Sequence, residues 1–352
     1  MYRLIRCILF KFPAENIHKL VAGLMRLAYF ISPVRAIIRA CYRVRHPLLE
    51  RQFCGIKFAN PVGLAAGFDK NATLYNAFSM FGFSFIEIGT VTPKGQQGNP
   101  KPRLFRIVQD EALINRMGFN NEGADVIVNR LKKSHSGLVI GGNIGKNTQT
   151  PNSEAVADYL YCFDALYPHV DYITVNVSCP NVAGLSALQS PKMLLDILKA
   201  IVEHRNKQIK KKPVLLKISP DLSIMSLDDI LQIVEDLGID GIVAVNTTTQ
   251  RIGLTIDKEQ VEAIGKGGMS GKPLTLQALE TINYIRQRTK GKLPVIGTGG
   301  IMSSEDAVRL LNAGATLVQV YSGFVYQGPS LVKKINKAVL KSEKQQSKIK
   351  NQ

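Results

Sequence analysis

Cysteine is scarce in this 352-residue chain and never closely paired: Cys7, Cys41, Cys54, Cys162 and Cys179 are odd in number, scattered, and nowhere spaced C-x-x-C. A disulfide framework and a zinc site are therefore not expected, nor is any other bound metal, and a reducing, cytoplasmic-side location follows. Long apolar runs are missing too. No stretch of about 18 apolar residues occurs, and the N-terminus lacks the order of charged head, apolar stretch and cleavage site that marks a signal peptide. Nothing is expected to span a bilayer. Also absent is a G-x-G-x-x-G turn after the first strand-like run, where the chain reads Ala65-Ala66-Gly67-Phe68-Asp69-Lys70. That absence argues against a doubly wound dinucleotide-binding sheet.

Acidic residues are few, 27 against 45 lysines and arginines, which leaves a formal charge of +18. Where the charge sits matters more than its total. Residues 1–45 carry nine Lys/Arg against Glu15, and residues 333–352 carry seven Lys against Glu343, together fourteen of the eighteen charges. A nucleic-acid enzyme would be expected to spread basic residues around its active face. Basic, apolar ends fit an anionic membrane surface instead.

The N-terminal segment places Ile17, Leu20, Val21, Leu24, Ala28 and Ile31 at helical spacing, which indicates one amphipathic helix. Ser32-Pro33 reads as an N-cap and first helical position opening a second helix, with Val34, Ile37, Ile38 and Cys41 on one face and His46-Pro47 ending it. Padding of the core is an equally ordinary role for such helices.

From Pro61 onward eight β-rich runs alternate with helical patterns. The runs are 61–66, 85–89, 138–143, 172–178, 214–219, 241–246, 295–298 and 317–322. The helical stretches include 122–132, 153–166, 191–209, 226–237, 275–289 and 304–313. Eight β-α alternations predict an α/β fold of the closed (β/α)8, or TIM, barrel type. The expected organisation is a helical segment over residues 1–46, a barrel over 47–340 and a basic tail over 341–352.

In such a barrel, chemistry is built at the C-terminal ends of the strands. Those ends offer Lys70, Thr90, Asn143, Asn176 with Cys179, Lys217, Asn246 with Thr247, Gly299-Gly300 and Tyr321-Ser322. Paired carboxylates and histidines are missing from this rim, which argues against metal-assisted and glycoside hydrolysis. A planar, anionic ligand fits better. Gly299-Gly300 and Ser322-Gly323 stand where barrels often bind phosphate, although diglycine can also be mere turn geometry. Lys217 is embedded in Leu215-Leu216-Lys217-Ile218, so its charge needs an anionic partner, which the ligand is expected to supply. Cys179 lies in Asn176-Val177-Ser178-Cys179-Pro180-Asn181 and can serve as a general base if its pKa is lowered, whereas most buried cysteines are inert. The run Asn115–Asn121 offers many amide donors and acceptors from a long loop.

These segments together resemble the dihydroorotate dehydrogenase family: Ala66–Lys70, Ile88-Gly89-Thr90-Val91-Thr92-Pro93, Lys101-Pro102-Arg103-Leu104-Phe105-Arg106, Asn115–Asn121, Asn143-Ile144-Gly145-Lys146-Asn147 and Asn246-Thr247-Thr248. The resemblance runs from the N-terminus to about residue 330. The Asn115–Asn121 and Lys101–Arg106 segments, with the N-terminal helix pair, look like its membrane-associated, quinone-using class.

The resemblance implies oxidation of (S)-dihydroorotate to orotate in de novo UMP synthesis, with FMN as cofactor and ubiquinone or menaquinone as acceptor. It implies FMN contacts at Ala66, Gly67, Lys70, Thr90, Asn143, Asn176, Lys217, Val245, Gly271, Gly300, Tyr321 and Ser322. Substrate would be held by Lys70, Asn115, Arg116, Met117, Gly118, Phe119, Asn176, Asn181, Asn246 and Thr247, with Cys179 as the catalytic base. A quinone tunnel would run between the N-terminal helices and the flavin edge, past His18, Arg106 and Tyr321. A monomer on the cytoplasmic face of the membrane, with no nucleic-acid partner, completes the expectation.

Three positions depart from the quinone class: Cys179 replaces its usual serine, Ser186 a frequent arginine, and Val245 a frequent threonine. Cysteine is typical of the soluble classes that use fumarate or NAD, so the base and the N-terminal extension point to different acceptors. A thiol is also more acidic than a serine hydroxyl, so activity is expected to persist to lower pH than a serine base allows. The rivals are a flavin-dependent tRNA-dihydrouridine synthase and a catalytically silent, membrane-bound flavin- or phosphate-binding protein.

Overall fold

A computed structural model describes residues 2–133, 137–182 and 184–350. The eight expected runs form eight parallel strands: β1 (Val62–Leu64), β2 (Phe85–Val91), β3 (Val139–Ile144), β4 (Tyr172–Asn176), β5 (Val214–Ile218), β6 (Gly241–Ala244), β7 (Val295–Thr298) and β8 (Leu317–Val320). They close into a barrel in sequence order, with β8 pairing back onto β1. The expected helical stretches flank them, among them Ala155–Leu166, Pro191–Asn206 and Ser304–Ala313. The last is opened by a capping box in which Ser303 and Asp306 satisfy each other's backbone N–H groups.

The strands are short, and what fills the barrel follows from their two-residue period. Phe85, Tyr172, Leu215, Val243, Ile296 and Leu317 form one buried apolar cluster with Phe53 and Phe58. These two phenylalanines come from a hairpin, Arg51–Phe53 with Ile56–Phe58, that the sequence reading missed. The Phe58 ring meets Phe85 edge to face at 5.2 Å, so the hairpin plugs the barrel floor. Gly141 is required at this level, because a Cβ there would lie 2.2 Å from the Tyr172 ring. Further along six of the eight strands the next layer is polar: Glu87, Asn143, Thr174, Lys217, Thr298 and Gln319 are all buried.

Above the strand ends lies a small antiparallel sheet, Leu104–Ile107, Ala112–Asn115 and Gly268–Gly271. It corrects the reading of Asn115–Asn121 as one long loop, since Asn115 ends one strand and Asn121 begins another, Asn121–Gly123.

Three helices precede the barrel: α1 (Tyr2–Leu9), α2 (Ala14–Phe30) and α3 (Ser32–Tyr42), the first of them unforeseen. None contributes a fully buried residue. Ser32 is not an N-cap. Ile31, in extended conformation, is the corner between α2 and α3, and no side chain caps the turn. Nor does α3 last to His46-Pro47: it ends at Tyr42, and Pro47–Leu49 form a separate 3-10 turn.

The helices are pinned to the barrel by polar contacts. Arg103 grips Glu15 of α2 with two nitrogens, at 2.9 and 3.2 Å. Arg106 donates to the Phe10 and Phe12 carbonyls, and the Tyr2 hydroxyl donates to the Val325 carbonyl at 2.6 Å. Among the described residues no single helix is long and apolar enough to cross a membrane; α2 and α3 meet at 106°. The expected boundary at 340/341 is not a structural break, because one helix runs through Ser330–Lys350. Buried Val339 and the Arg51–Glu343 ion pair hold it on both sides of that point.

Candidate active site

The strand ends and the covering sheet enclose a cavity of about 960 Å³. Of the expected cofactor residues, Ala66, Gly67, Lys70, Thr90, Asn176, Lys217, Val245, Gly271, Gly300, Tyr321 and Ser322 line it. Asn143 does not. It lies fully buried one layer below, where its Oδ1 accepts from Thr90 Oγ1 at 2.5 Å and its Nδ2 donates to Glu87 at 2.7 Å. Asn176 Nδ2 in turn donates to Thr90 Oγ1 at 3.0 Å. The floor is therefore a fixed amide-hydroxyl lattice with little freedom to reorient.

On the opposite wall Asn115, Met117, Gly118, Phe119, Asn181, Asn246 and Thr247 meet the same cavity. Asn181 Nδ2 donates to Asn115 Oδ1 at 2.8 Å, and Asn181 Oδ1 accepts from the Gly268 N–H at 3.0 Å. Asn246 Nδ2 reaches Asn176 Oδ1 and Ser178 Oγ. Arg116 is the exception among the expected substrate residues. Its guanidinium turns outward to the Ile264 carbonyl and stacks on Phe105, 4.7 Å from the ring centre. The reason is its place in the chain: Asn115 ends the central strand of the covering sheet with its side chain toward the cavity, so the next side chain leaves the other way.

Lys70, Cys179 and Lys217 share the cavity. Burial pushes the Cys179 thiol up to about 11, and the backbone N–H of Asn181 and the charges of Lys70 and Lys217 only partly offset it. The expectation of a lowered pKa is thus reversed for this site. Burial also brings Lys70 down to about 8, with Arg103 adding to the effect and Cys179 opposing it. Lys217 is lowered by burial and supported by Glu87. The anionic partner expected from a ligand is present already as Glu87, which the sequence reading overlooked. Glu87 lies inside an apolar run, the same sign that singled out Lys217. Thr298 and Gln319 line the cavity too and were also missed, because on the last two strands only the residues just past the strand, Gly299-Gly300 and Tyr321-Ser322, were weighed.

A second cavity, about 1030 Å³ and almost wholly apolar, lies between α1, α2 and the barrel. His18, Arg106 and Tyr321 line it with Ile17, Val21, Ala22, Phe68 and Phe324. Tyr321 belongs to both cavities. Its ring packs edge-on to Phe68 at 5.2 Å, and Phe68 meets the His18 ring at 5.1 Å. Burial and the charge of Lys70 hold the His18 imidazole below its usual range.

A family model described as dihydroorotate dehydrogenase matches residues 48–342. The chain belongs to the dihydroorotate dehydrogenase family. A relative from Christiangramia forsetii named dihydroorotate dehydrogenase (quinone) is 49% identical over 341 residues, covering 97% of this chain and 99% of its own. One of the same name from a Psychrobacter species is 43% identical, covering 96% and 97%. The crystal structure of the Eimeria tenella enzyme with ferulenol superposes with a TM-score of 0.85 at 33% identity, covering 95% of this chain and 92% of that one. At such coverage the alignments with the relatives take in most of α1–α3.

The dihydroorotate dehydrogenases of the quinone type are FMN proteins, and the first cavity fits that group. Lys217 is 5% exposed and lines this cavity, and the Oε1 of Gln319 on the same wall is buried with no hydrogen-bond partner. A flavin's pyrimidine edge, with both acceptors and an N–H donor, suits the pair. Gly300, at φ +68°, carries no Cβ because one would lie 2.2 Å from the Thr275 backbone. Its amide, with Ser322 and Gly323 beside it, is open to an anion. Among the described residues no His, Cys, Asp and Glu group could hold a metal ion. The side chain of Ser186, one of the departures from the family pattern, lies outside the described residues.

Proposed function

We propose that this chain oxidises (S)-dihydroorotate to orotate in de novo pyrimidine synthesis, with FMN in the first cavity and a quinone reaching the second. The observation that carries this reading is the shared wall at Tyr321. One polar cavity built from strand ends and one apolar cavity built from helices meet at a single side chain.

Cys179 is the base. It takes the C5 proton of dihydroorotate while the C6 hydride leaves from the same molecule, so the C5–C6 double bond of orotate forms. FMN, when bound, supplies the acceptor for that hydride and returns the two electrons to the quinone. Lys70 faces the substrate carboxylate, and Asn115, Asn176, Asn181 and Asn246 hold the ring amides and carbonyls. Each asparagine is hydrogen-bonded to another polar group of the protein, so little reorganisation is needed when the substrate arrives. Lys217 sets a positive charge beneath the flavin site, where negative charge gathers on reduction.

The same reading places the protein peripherally on the cytoplasmic face of a membrane, as a monomer with no nucleic-acid partner. Leu20, Leu24, Leu27 and Phe30 on α2, and Ile37 on α3, are exposed. Lys334, Lys337, Lys341, Lys344 and Lys348 recur every three or four residues and are exposed along one face of the C-terminal helix. An apolar face with basic flanks suits an anionic leaflet.

Cys179 favours a second reading, a fumarate- or NAD-linked enzyme. The test is to bleach the flavin with dihydroorotate and reoxidise it in turn with a ubiquinone analogue, fumarate and NAD. Fast reoxidation by quinone alone is expected. Reoxidation only by fumarate or NAD would replace the acceptor, and no bleaching would remove the substrate assignment.

A further inference from the structure

Glu87 is completely buried inside the barrel, yet it belongs to neither cavity wall. Its carboxylate collects donors from three strands. Asn143 Nδ2 of β3 reaches Oε1 at 2.7 Å, Thr174 Oγ1 of β4 reaches Oε2 at 3.1 Å, and Gln319 Nε2 of β8 reaches Oε2 at 3.0 Å. The Tyr172 hydroxyl approaches Oε2 at 3.4 Å. A buried carboxylate is costly unless it is paired and fully bonded. The barrel spends four polar side chains on it, where apolar residues would pack the same layer.

Two links lead upward from this carboxylate. The first is mechanical: Glu87 fixes Asn143, Asn143 accepts from Thr90, and Thr90 accepts from Asn176, so the orientation of the cavity floor is set from below. The second is electrostatic. Phe85 and Leu215 pack in one cluster at the barrel floor, and Glu87 and Lys217 are the next inward-facing residues on their strands, both buried in the polar layer above it.

We propose that Glu87 is a positioning residue of the flavin site: its negative charge limits how strongly Lys217 favours a reduced, anionic flavin, and its hydrogen bond to Asn143 aligns Thr90 and Asn176. Consistent with this, the carboxylate counteracts the burial that lowers the Lys217 pKa. The chemistry of two successive substrates explains the need for restraint. A flavin held too tightly in its reduced form would accept electrons readily and surrender them slowly.

The inference rests on the assignment of FMN, and its test does not require dihydroorotate. The Glu87→Gln holoenzyme is titrated with dithionite, and the midpoint potential of its bound FMN is compared with that of the unaltered protein. The expected result is an upward shift, because Lys217 is no longer opposed, accompanied by slower reoxidation by a ubiquinone analogue. A Glu87→Gln protein that binds FMN at an unchanged potential would reduce Glu87 to a structural part of the core.

Glu87→Asp separates the two links. It keeps the charge but shortens the reach to Asn143, so the potential should stay near that of the unaltered protein while flavin reduction by dihydroorotate slows about tenfold. If Glu87→Gln does not fold, this variant decides alone: an unchanged reduction rate overturns the positioning role. Failure of the unaltered protein to bleach with dihydroorotate would instead condemn the substrate assignment and leave the potential shift readable.

Discussion

The two cavities differ in how they are built. The barrel cavity is bounded by side chains whose polar atoms are bonded to one another, on strands with no exposed residue between β1 and β5 other than the half-buried Val139. The N-terminal cavity is bounded on one side by helices that bury nothing completely and are held by half-buried apolar contacts such as Met25 and Ala28 together with a few polar ties such as Glu15–Arg103. Exact placement is a property of the first and adaptability of the second. That division suits the tasks proposed for them: one to orient a small polar ring for proton and hydride removal, the other to admit a large apolar molecule whose orientation matters less.

The largest break in this comparison should come from Cys179→Ala. Flavin reduction by dihydroorotate is expected to fall about 10²- to 10⁴-fold, the usual worth of a general base. Reoxidation of chemically reduced enzyme by quinone should be unaffected, and stopped-flow measurement of the two half-reactions checks both. The mirror experiment is Ala22→Trp, which fills the apolar cavity. It should raise the quinone KM about tenfold, roughly 1.4 kcal/mol, and leave flavin reduction within a factor of two. If both half-reactions slow together, the cavities are not independent.

A smaller effect is the shape of the pH profile. A base must be deprotonated to act, so with Cys179 near 11 only about one site in 10⁴ is thiolate at pH 7. The rate of flavin reduction should therefore rise with pH through neutrality. Lys70, near 8, is charged below that pH and loses its charge above it, so dihydroorotate affinity should weaken on the alkaline side. A broad optimum centred at about pH 9.5, midway between the two values, is expected in kcat/KM for dihydroorotate, and Lys70→Met should remove its alkaline limb but not its acid one. The expectation that activity persists to low pH is accordingly confined to the comparison with Cys179→Ser, whose profile should lie higher still.

Much of the barrel could be read in advance because parallel strands buried on both faces appear as apolar runs of fixed length, and all eight were found within a few residues of their ends. The plug hairpin was not legible: Arg51–Phe53 and Ile56–Phe58 are three residues each, too short for any period to show. Most lining residues of the first cavity were found because strand ends converge there. The errors share one cause, that a one-dimensional reading does not give depth along a strand. Asn143 and Thr90 are both strand-end residues, but only Thr90 reaches the cavity; Glu87 lies below it and was not seen, and Gln319 reaches it from inside its strand. Arg116 shows the complementary limit, since a sequence motif does not say which way a side chain leaves the end of a strand. Cys179 was located correctly while its acidity was misjudged, because burial is a property of everything packed around the thiol.

Among the described residues Tyr321 alone bounds both cavities, a single aromatic ring with its hydroxyl 3.5 Å from the Gly67 carbonyl. A partition this thin lets electrons through by proximity yet is impermeable to molecules. Orotate can linger on one side while the acceptor comes and goes on the other, and neither needs to wait for a vacancy. The protein thereby connects a water-soluble metabolite and a lipid-soluble one without the two ever having to meet in a common solvent.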